Sequence, residues 1–120
     1  MKRVFLTIYW KKQSTSKILL ISMKKAVLGF IKQFQNPGTI ETFTEGCCYW
    51  FAVILKRRFA AFHPIILYNP IDNHFATKIG DTLYDITGAI SFNEFEPWNK
   101  FAKEDYLLTK RIIKDCILKV

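Results

Sequence analysis

Cys48, His74 and Asp85 follow one another at intervals of twenty-six and eleven residues. They are the three side-chain types of a thiol-nucleophile site. A thiol reacts as its thiolate, so it needs a base to take the proton and a third group to orient that base. His74 suits the base, acting later as general acid to a leaving group. Asp85 suits the carboxylate that orients the imidazole and stabilises its cationic form. The thiol lies in the stretch Glu45-Gly46-Cys47-Cys48-Tyr49-Trp50-Phe51-Ala52-Val53-Ile54-Leu55-Lys56-Arg57-Arg58-Phe59. A small-residue turn opens it, an apolar run follows and a basic cluster closes it. Eleven residues from Cys47 to Arg57 without Gly or Pro are long for a strand, and the stretch predicts a buried helix with the thiol near its start. Unpaired N–H groups and the helix dipole favour an anion there, which favours thiolate.

Each residue has a plainer reading. A buried cysteine is ordinarily a small hydrophobe; the helix start and the downstream His and Asp turn Cys48 toward chemistry. Asp85 alone is equally a strand-end aspartate beside a turn, and His74 alone a surface histidine. Cys47 competes with Cys48. One step along a helix rotates a side chain by about 100°, so one of the two faces His74. Cys48 is assigned as nucleophile and Cys47 as packing or a resolving thiol. His63, before Pro64, has no comparable partner and reads as structural or exposed. Cys47, Cys48 and His74 do not make a zinc site, because adjacent helical cysteines diverge and no second cysteine pair supplies the usual spacing. No metal or cofactor is expected.

The elements that would position these groups follow from pattern. Ala26, Val27, Phe30, Ile31 and Phe34 fall at helical spacing from Met23 onward, and Asn36-Pro37-Gly38 stops that helix. Residues 39–44 form a polar approach, and Thr42 with Glu45 fits a capping box for the cysteine helix. Residues 64–68 are rich in strand formers, and residues 69–73 in turn formers. Residues 74–79 and 82–86 read as a hairpin across Gly80-Asp81. That loop sets Ala76 opposite Asp85, with His74 one diagonal step away on the same face. Thr87-Gly88 ends the hairpin. Residues 89–101 read as irregular, with Pro97 and Trp98 pinning them to the core. Residues 103–120 read as a final helix whose stripe is Leu108, Ile112 and Cys116, flanked by Ile113 and Ile117. The fold class is α+β: two helices, a small antiparallel sheet and a C-terminal helix.

One domain fits a chain of 120 residues, half of them hydrophobic and 16% aromatic. Three cysteines, two adjacent, form no disulfide framework and suit a reducing compartment. The net charge of +8 is uneven: residues 1–40 hold eight Lys or Arg and no acid, and the remainder holds ten of each sign. Residues 1–22 show no sustained period and are expected to be a poorly packed basic extension, with the domain spanning 23–120. A basic segment is able to bind nucleic acid or anionic lipid, but a solvated helix face plus a tail is the favoured reading. No apolar run reaches the ~20 residues of a membrane span. Residues 4–10 lack a small-x-small cleavage site after them, so secretion is not expected.

Gly46-x-Cys48-x-x-Phe51-Ala52, His74-Phe75-Ala76-x-Lys78 and Leu83-Tyr84-Asp85-Ile86-Thr87-Gly88 resemble the nucleophile segment and the paired His and Asp strands of the papain-like/transglutaminase-like cysteine superfamily. That resemblance covers residues 44–88. It implies a nucleophile helix packed on a small antiparallel sheet, with Cys48, His74 and Asp85 as catalytic residues. The implied function is a hydrolase or acyltransferase acting on an amide or thioester. The segment from Pro97-Trp98 to Arg111-Ile112-x-Lys114-Asp115-Cys116-Ile117 also resembles small phage or prophage proteins of this type, which implies the cytoplasm of a bacterial or phage-infected cell. The chain is far shorter than a typical transglutaminase or papain. Thr42 stands where papain-like enzymes often carry a glutamine, so backbone amides at the helix start would stabilise an oxyanion. The rival expectation is a non-catalytic binding module of the same fold, engaging nucleic acid or a protein through the basic segment.

Overall fold

The computed structural model describes the backbone of residues 2–104, 107, 110, 112 and 113, and the side chains of residues 17–103, 107, 110, 112 and 113. Helix α1 spans Lys2–Phe34 and runs unbroken across residue 22, the expected boundary of the domain. Its C-terminal half buries Val27 and Ile31. Further toward the N-terminus, Ile18 and Ile21 are about 60% exposed. Leu20 and Met23 still touch the turn at Gly80, where an added Cβ would come within 3.3 and 3.0 Å of them.

Asn36 both ends α1 and opens a helix that the sequence pattern did not announce, α2 (Pro37–Thr44). Its carboxamide oxygen accepts the Thr39 N–H at 2.9 Å, and the Thr39 hydroxyl accepts the Asn36 N–H at 2.9 Å. With Pro37 at the first helical position this is a complete capping box. The box expected at Thr42 and Glu45 does not form, because Glu45 instead closes α2 through its N–H to the Glu41 carbonyl at 3.0 Å. Gly46 follows with φ +123°, a conformation open to glycine, and stops α2 before α3 (Cys48–Arg58) begins. Cys48, Phe51, Ala52 and Leu55 form the buried face of α3 at helical spacing. Lys56, Arg57 and Arg58 occupy its last turn, where the helix dipole favours cations.

All pairings in the five-stranded sheet are antiparallel, in the order β4-β3-β2-β1-β5. The strands are β1 (Ile65–Asn69), β2 (His74–Ile79), β3 (Thr82–Asp85), β4 (Gly88–Ile90) and β5 (Glu96–Pro97). The β2–β3 hairpin turns at Gly80-Asp81 with Ile79 against Thr82 and Thr77 against Tyr84, which is the register read from the sequence. Residues 89–101, expected to be irregular, contain the rest of β4, β5 and the start of α4 (Trp98–Glu104). Gly88, at φ +117°, turns the chain back along β3, and Pro97 sits on an edge strand where its missing N–H is harmless. Helix α4 thus starts ahead of the expected residue 103. Ile112 is buried and Ile113 partly exposed, while Leu108, Cys116 and Ile117 lie outside the described residues.

Alternation along the strands divides the core. Phe75, Ile79, Tyr68 and Tyr84 point toward the helices, where they join Phe51, Leu55 and Ala52. Leu67, Ala76 and Leu83 form a smaller cluster on the other face, covered by Ile90 and Phe95. Trp98 and Phe101 pack on Tyr68 with ring centroids 5.3 and 4.9 Å away, which fixes β5 and α4 against β1.

Candidate active site

Helix α3 presents Cys48 as its first residue, with Cys47 in the N-cap position. The Cys47 carbonyl accepts the N–H groups of Trp50 and Phe51, so the first turn is fixed immediately beside the thiol. Cys48 is buried and only 6% exposed, whereas Cys47 is half-buried. The Cys48 sulfur hydrogen-bonds the His74 side chain and accepts the backbone N–H groups of Phe75 and Tyr49. Of the two adjacent cysteines, Cys48 is therefore the buried one and the one beside His74.

His74 opens β2 and Asp85 closes β3. The His74 Nε2 lies 2.9 Å from Asp85 Oδ2, with side-chain exposures of 20% and 11%. That contact leaves Nδ1 as the ring nitrogen for the thiol. The other carboxylate oxygen, Oδ1, accepts the Thr87 N–H at 2.8 Å and the Thr87 hydroxyl. Asp85 is consequently gripped on both oxygens. Phe95 packs on the imidazole, centroid to centroid at 6.1 Å and edge-on. Behind the thiol, the buried Thr77 hydroxyl donates to the Ala52 carbonyl at 2.9 Å and ties β2 to α3.

The charges follow from these contacts. Burial pushes the Cys48 thiol up, but the bond to His74, the two backbone donors and the imidazolium charge outweigh it and hold the pKa below its ordinary value. His74 is raised from 6.5 to about 9, chiefly by the hydrogen bond to Asp85 and then by that to Cys48, against the opposing effect of burial. Burial also pushes Asp85 up, and the bonds to His74 and Thr87 overcome it and leave its pKa low. The three shifts thus act in one direction, toward thiolate, imidazolium and carboxylate in series.

Among the described residues no group of three or more His, Cys, Asp or Glu is placed to hold a metal ion. No helix among the described residues is long and apolar enough to cross a membrane. His63 stands apart from the site, exposed and at φ 53°. Thr87 and Phe95 were not singled out from the sequence. Thr87 had a signal: an Asp whose side chain accepts the N–H two residues on is a recurrent turn. Phe95 had none, because it reaches His74 from a loop distant in the chain.

No curated protein and no solved structure matches the chain. One family model does, described as phage YunG-like protein, and its match runs over residues 27–113. That span is well over half the chain and contains Cys48, His74, Asp85 and Thr87. The chain belongs to the phage YunG-like protein family.

Proposed function

We propose that this chain is a minimal papain-like/transglutaminase-like cysteine enzyme, a hydrolase or acyltransferase that attacks an amide or thioester carbonyl through Cys48. The observation that carries the reading is the continuous hydrogen-bonded series from Cys48 through His74 to Asp85, with the thiol at the start of a helix. Buried cysteines without such partners are inert.

In this reading the proton of Cys48 rests on His74 before substrate arrives. The thiolate attacks the carbonyl carbon, and amide groups at the start of α3 stabilise the oxyanion. His74 returns the proton to the departing amine or thiol, which leaves an acyl-enzyme thioester. Water, deprotonated by His74, then releases the acid, or an amine takes the acyl group in transfer. Asp85 holds the ring so that one nitrogen faces the sulfur throughout. No metal or organic cofactor takes part in these steps. Such an enzyme would work in the cytoplasm of a bacterial or phage-infected cell, a reading that the phage family supports.

The test is thiol labelling followed by turnover. Iodoacetamide at pH 6 should modify Cys48 ahead of Cys47, as read by peptide mass spectrometry, and His74→Ala should remove that preference. An acyl thioester probe should leave an acyl adduct on Cys48. If Cys48 is unreactive at pH 6 and takes no acyl group, the enzyme reading fails. The non-catalytic binding module then replaces it, with the eight cations of residues 1–40 as its contact surface for nucleic acid or a protein partner.

A further inference from the structure

A second feature lies outside the cysteine site. A cavity of about 310 Å³ opens between the flank of α3 and the β1–β5 edge of the sheet. Tyr49 and Trp98 wall it, Pro64 and Ile66 add apolar surface, and Lys56 and Asn99 supply polar ends. Cys48, His74 and Asp85 are not among its lining residues. It shares a wall with them instead: Tyr49 and Trp98 each pack edge-on against Phe75, at 5.0 and 4.9 Å, and the Phe75 N–H faces Cys48.

We propose that this cavity binds a small planar ligand carrying one anionic group, an aryl carboxylate or aryl phosphate. Three observations converge on that chemistry. The volume is roughly twice the ~150 Å³ that encloses a benzene ring, so one or two fused rings and a charged substituent fit. Two aromatic side chains offer flat apolar surface for such rings. The charge on the lining is a single cation, Lys56, with no carboxylate among the lining residues and no ion-pair partner among the described residues. Glu96, next to the lining residue Pro97, does not line the cavity. Asn99 and the Tyr49 hydroxyl have no hydrogen-bond partner among the described residues and add donors for an anion's second oxygen. The reading is independent of whether Cys48 reacts.

The experiment uses the full chain, labelled with ¹⁵N, titrated with indole-3-carboxylate and separately with phenyl phosphate. Saturable shifts should appear at the amides of Ile65, Ile66 and Asn99 and at the Trp98 indole N–H. Indole-3-carboxamide, with the same ring and no charge, should bind at least about tenfold more weakly, as should the carboxylate to Lys56→Met, since a charge-assisted bond accounts for a factor of that order. Lys56→Arg should restore most of the affinity. Lys56 is exposed, so these variants keep the fold, which the unperturbed remainder of the spectrum verifies. The tighter of the two anions assigns carboxylate or phosphate. The proposal is overturned if neither anion gives saturable shifts at these residues up to about 5 mM, a very weak affinity, if the carboxamide binds equally well, or if Lys56→Met binds like the parent.

Discussion

Replacing Asp85 by Asn keeps the side chain's shape and removes its charge, and the structure says why that exchange cannot be silent. Asp85 offers one oxygen to His74 and the other to the Thr87 N–H and hydroxyl. All of these partners donate. An asparagine has one acceptor oxygen and one donor NH₂, so it satisfies Thr87 or the protonated imidazole, not both. With the oxygen held by the Thr87 N–H, the NH₂ faces His74 and demands that Nε2 accept. The ring is then neutral, with its proton on the nitrogen toward Cys48. The interval from 6.5 to about 9 in the His74 pKa corresponds to roughly 3 kcal/mol of preference for the cation. Asp85 is the largest contributor, and a charge-assisted bond exceeds a neutral one by about 1–1.5 kcal/mol. Asp85→Asn should therefore lower the His74 pKa by about one unit or more, and the Cys48 thiol, losing its cation, should titrate higher. The assay is ¹⁵N NMR of labelled imidazole against pH, with His63→Gln to leave one histidine, alongside the alkylation rate of Cys48 with Cys47 and Cys116 changed to Ser. A parent His74 that titrates near 6.5, or a variant whose two curves coincide with the parent's, would refute the reasoning.

Thr87→Val removes the hydroxyl bond to Asp85 and keeps the backbone one, so the His74 pKa should fall by less than in Asp85→Asn; an equal or larger fall would show that the hydroxyl, not the carboxylate charge, sets it. Thr77→Val leaves the Ala52 carbonyl without its side-chain donor in a buried site and should lower stability by about 1 kcal/mol, read from urea midpoints; an unchanged midpoint would mean that β2 and α3 do not depend on that tie. Because the folded state depresses the Asp85 pKa below 3.8, its stabilisation is complete above that value and is lost as pH falls through the lower folded one. The parent should thus lose more stability than Asp85→Asn between about pH 5 and pH 2, and parallel acid-denaturation curves would contradict it. Deleting residues 1–22 should leave the melting temperature nearly unchanged, given the exposure of Ile18 and Ile21; a large drop would show that Leu20 and the residues before it support the turn at Gly80.

The hairpin was legible because two rules, alternation by two and the short loop at Gly80-Asp81, leave few registers, and His74 and Asp85 fall on one face in the register read. The start of the cysteine helix was less so. Thr42 and Glu45 have the composition of a cap, but Asn36-Pro37 with Thr39 makes a cap of its own earlier and commits residues 37–44 to α2. Composition alone does not say which of two competing caps closes, since each depends on what the following turn packs against. The short strands β4 and β5 were hidden for a related reason. At three and two residues they are too short to display a period, and they exist because β3 and β1 present open edges to them.

The site itself depends on where α3 begins, and that is set from outside α3. Phe75 points toward the helices, while its neighbour His74 belongs by alternation to the opposite face. A thiol from the helical layer meets that imidazole only at the end of β2, where the sheet stops. Cys48 reaches it as the first residue of α3. Had the helix been wound one residue out of phase, the sulfur would be turned by about 100° and Cys47 would take its place. Gly46, in a conformation that other residues seldom adopt, ends α2 at the point that fixes this phase. Its role is therefore positional: it carries no reactive group, yet it decides which of two adjacent thiols meets His74.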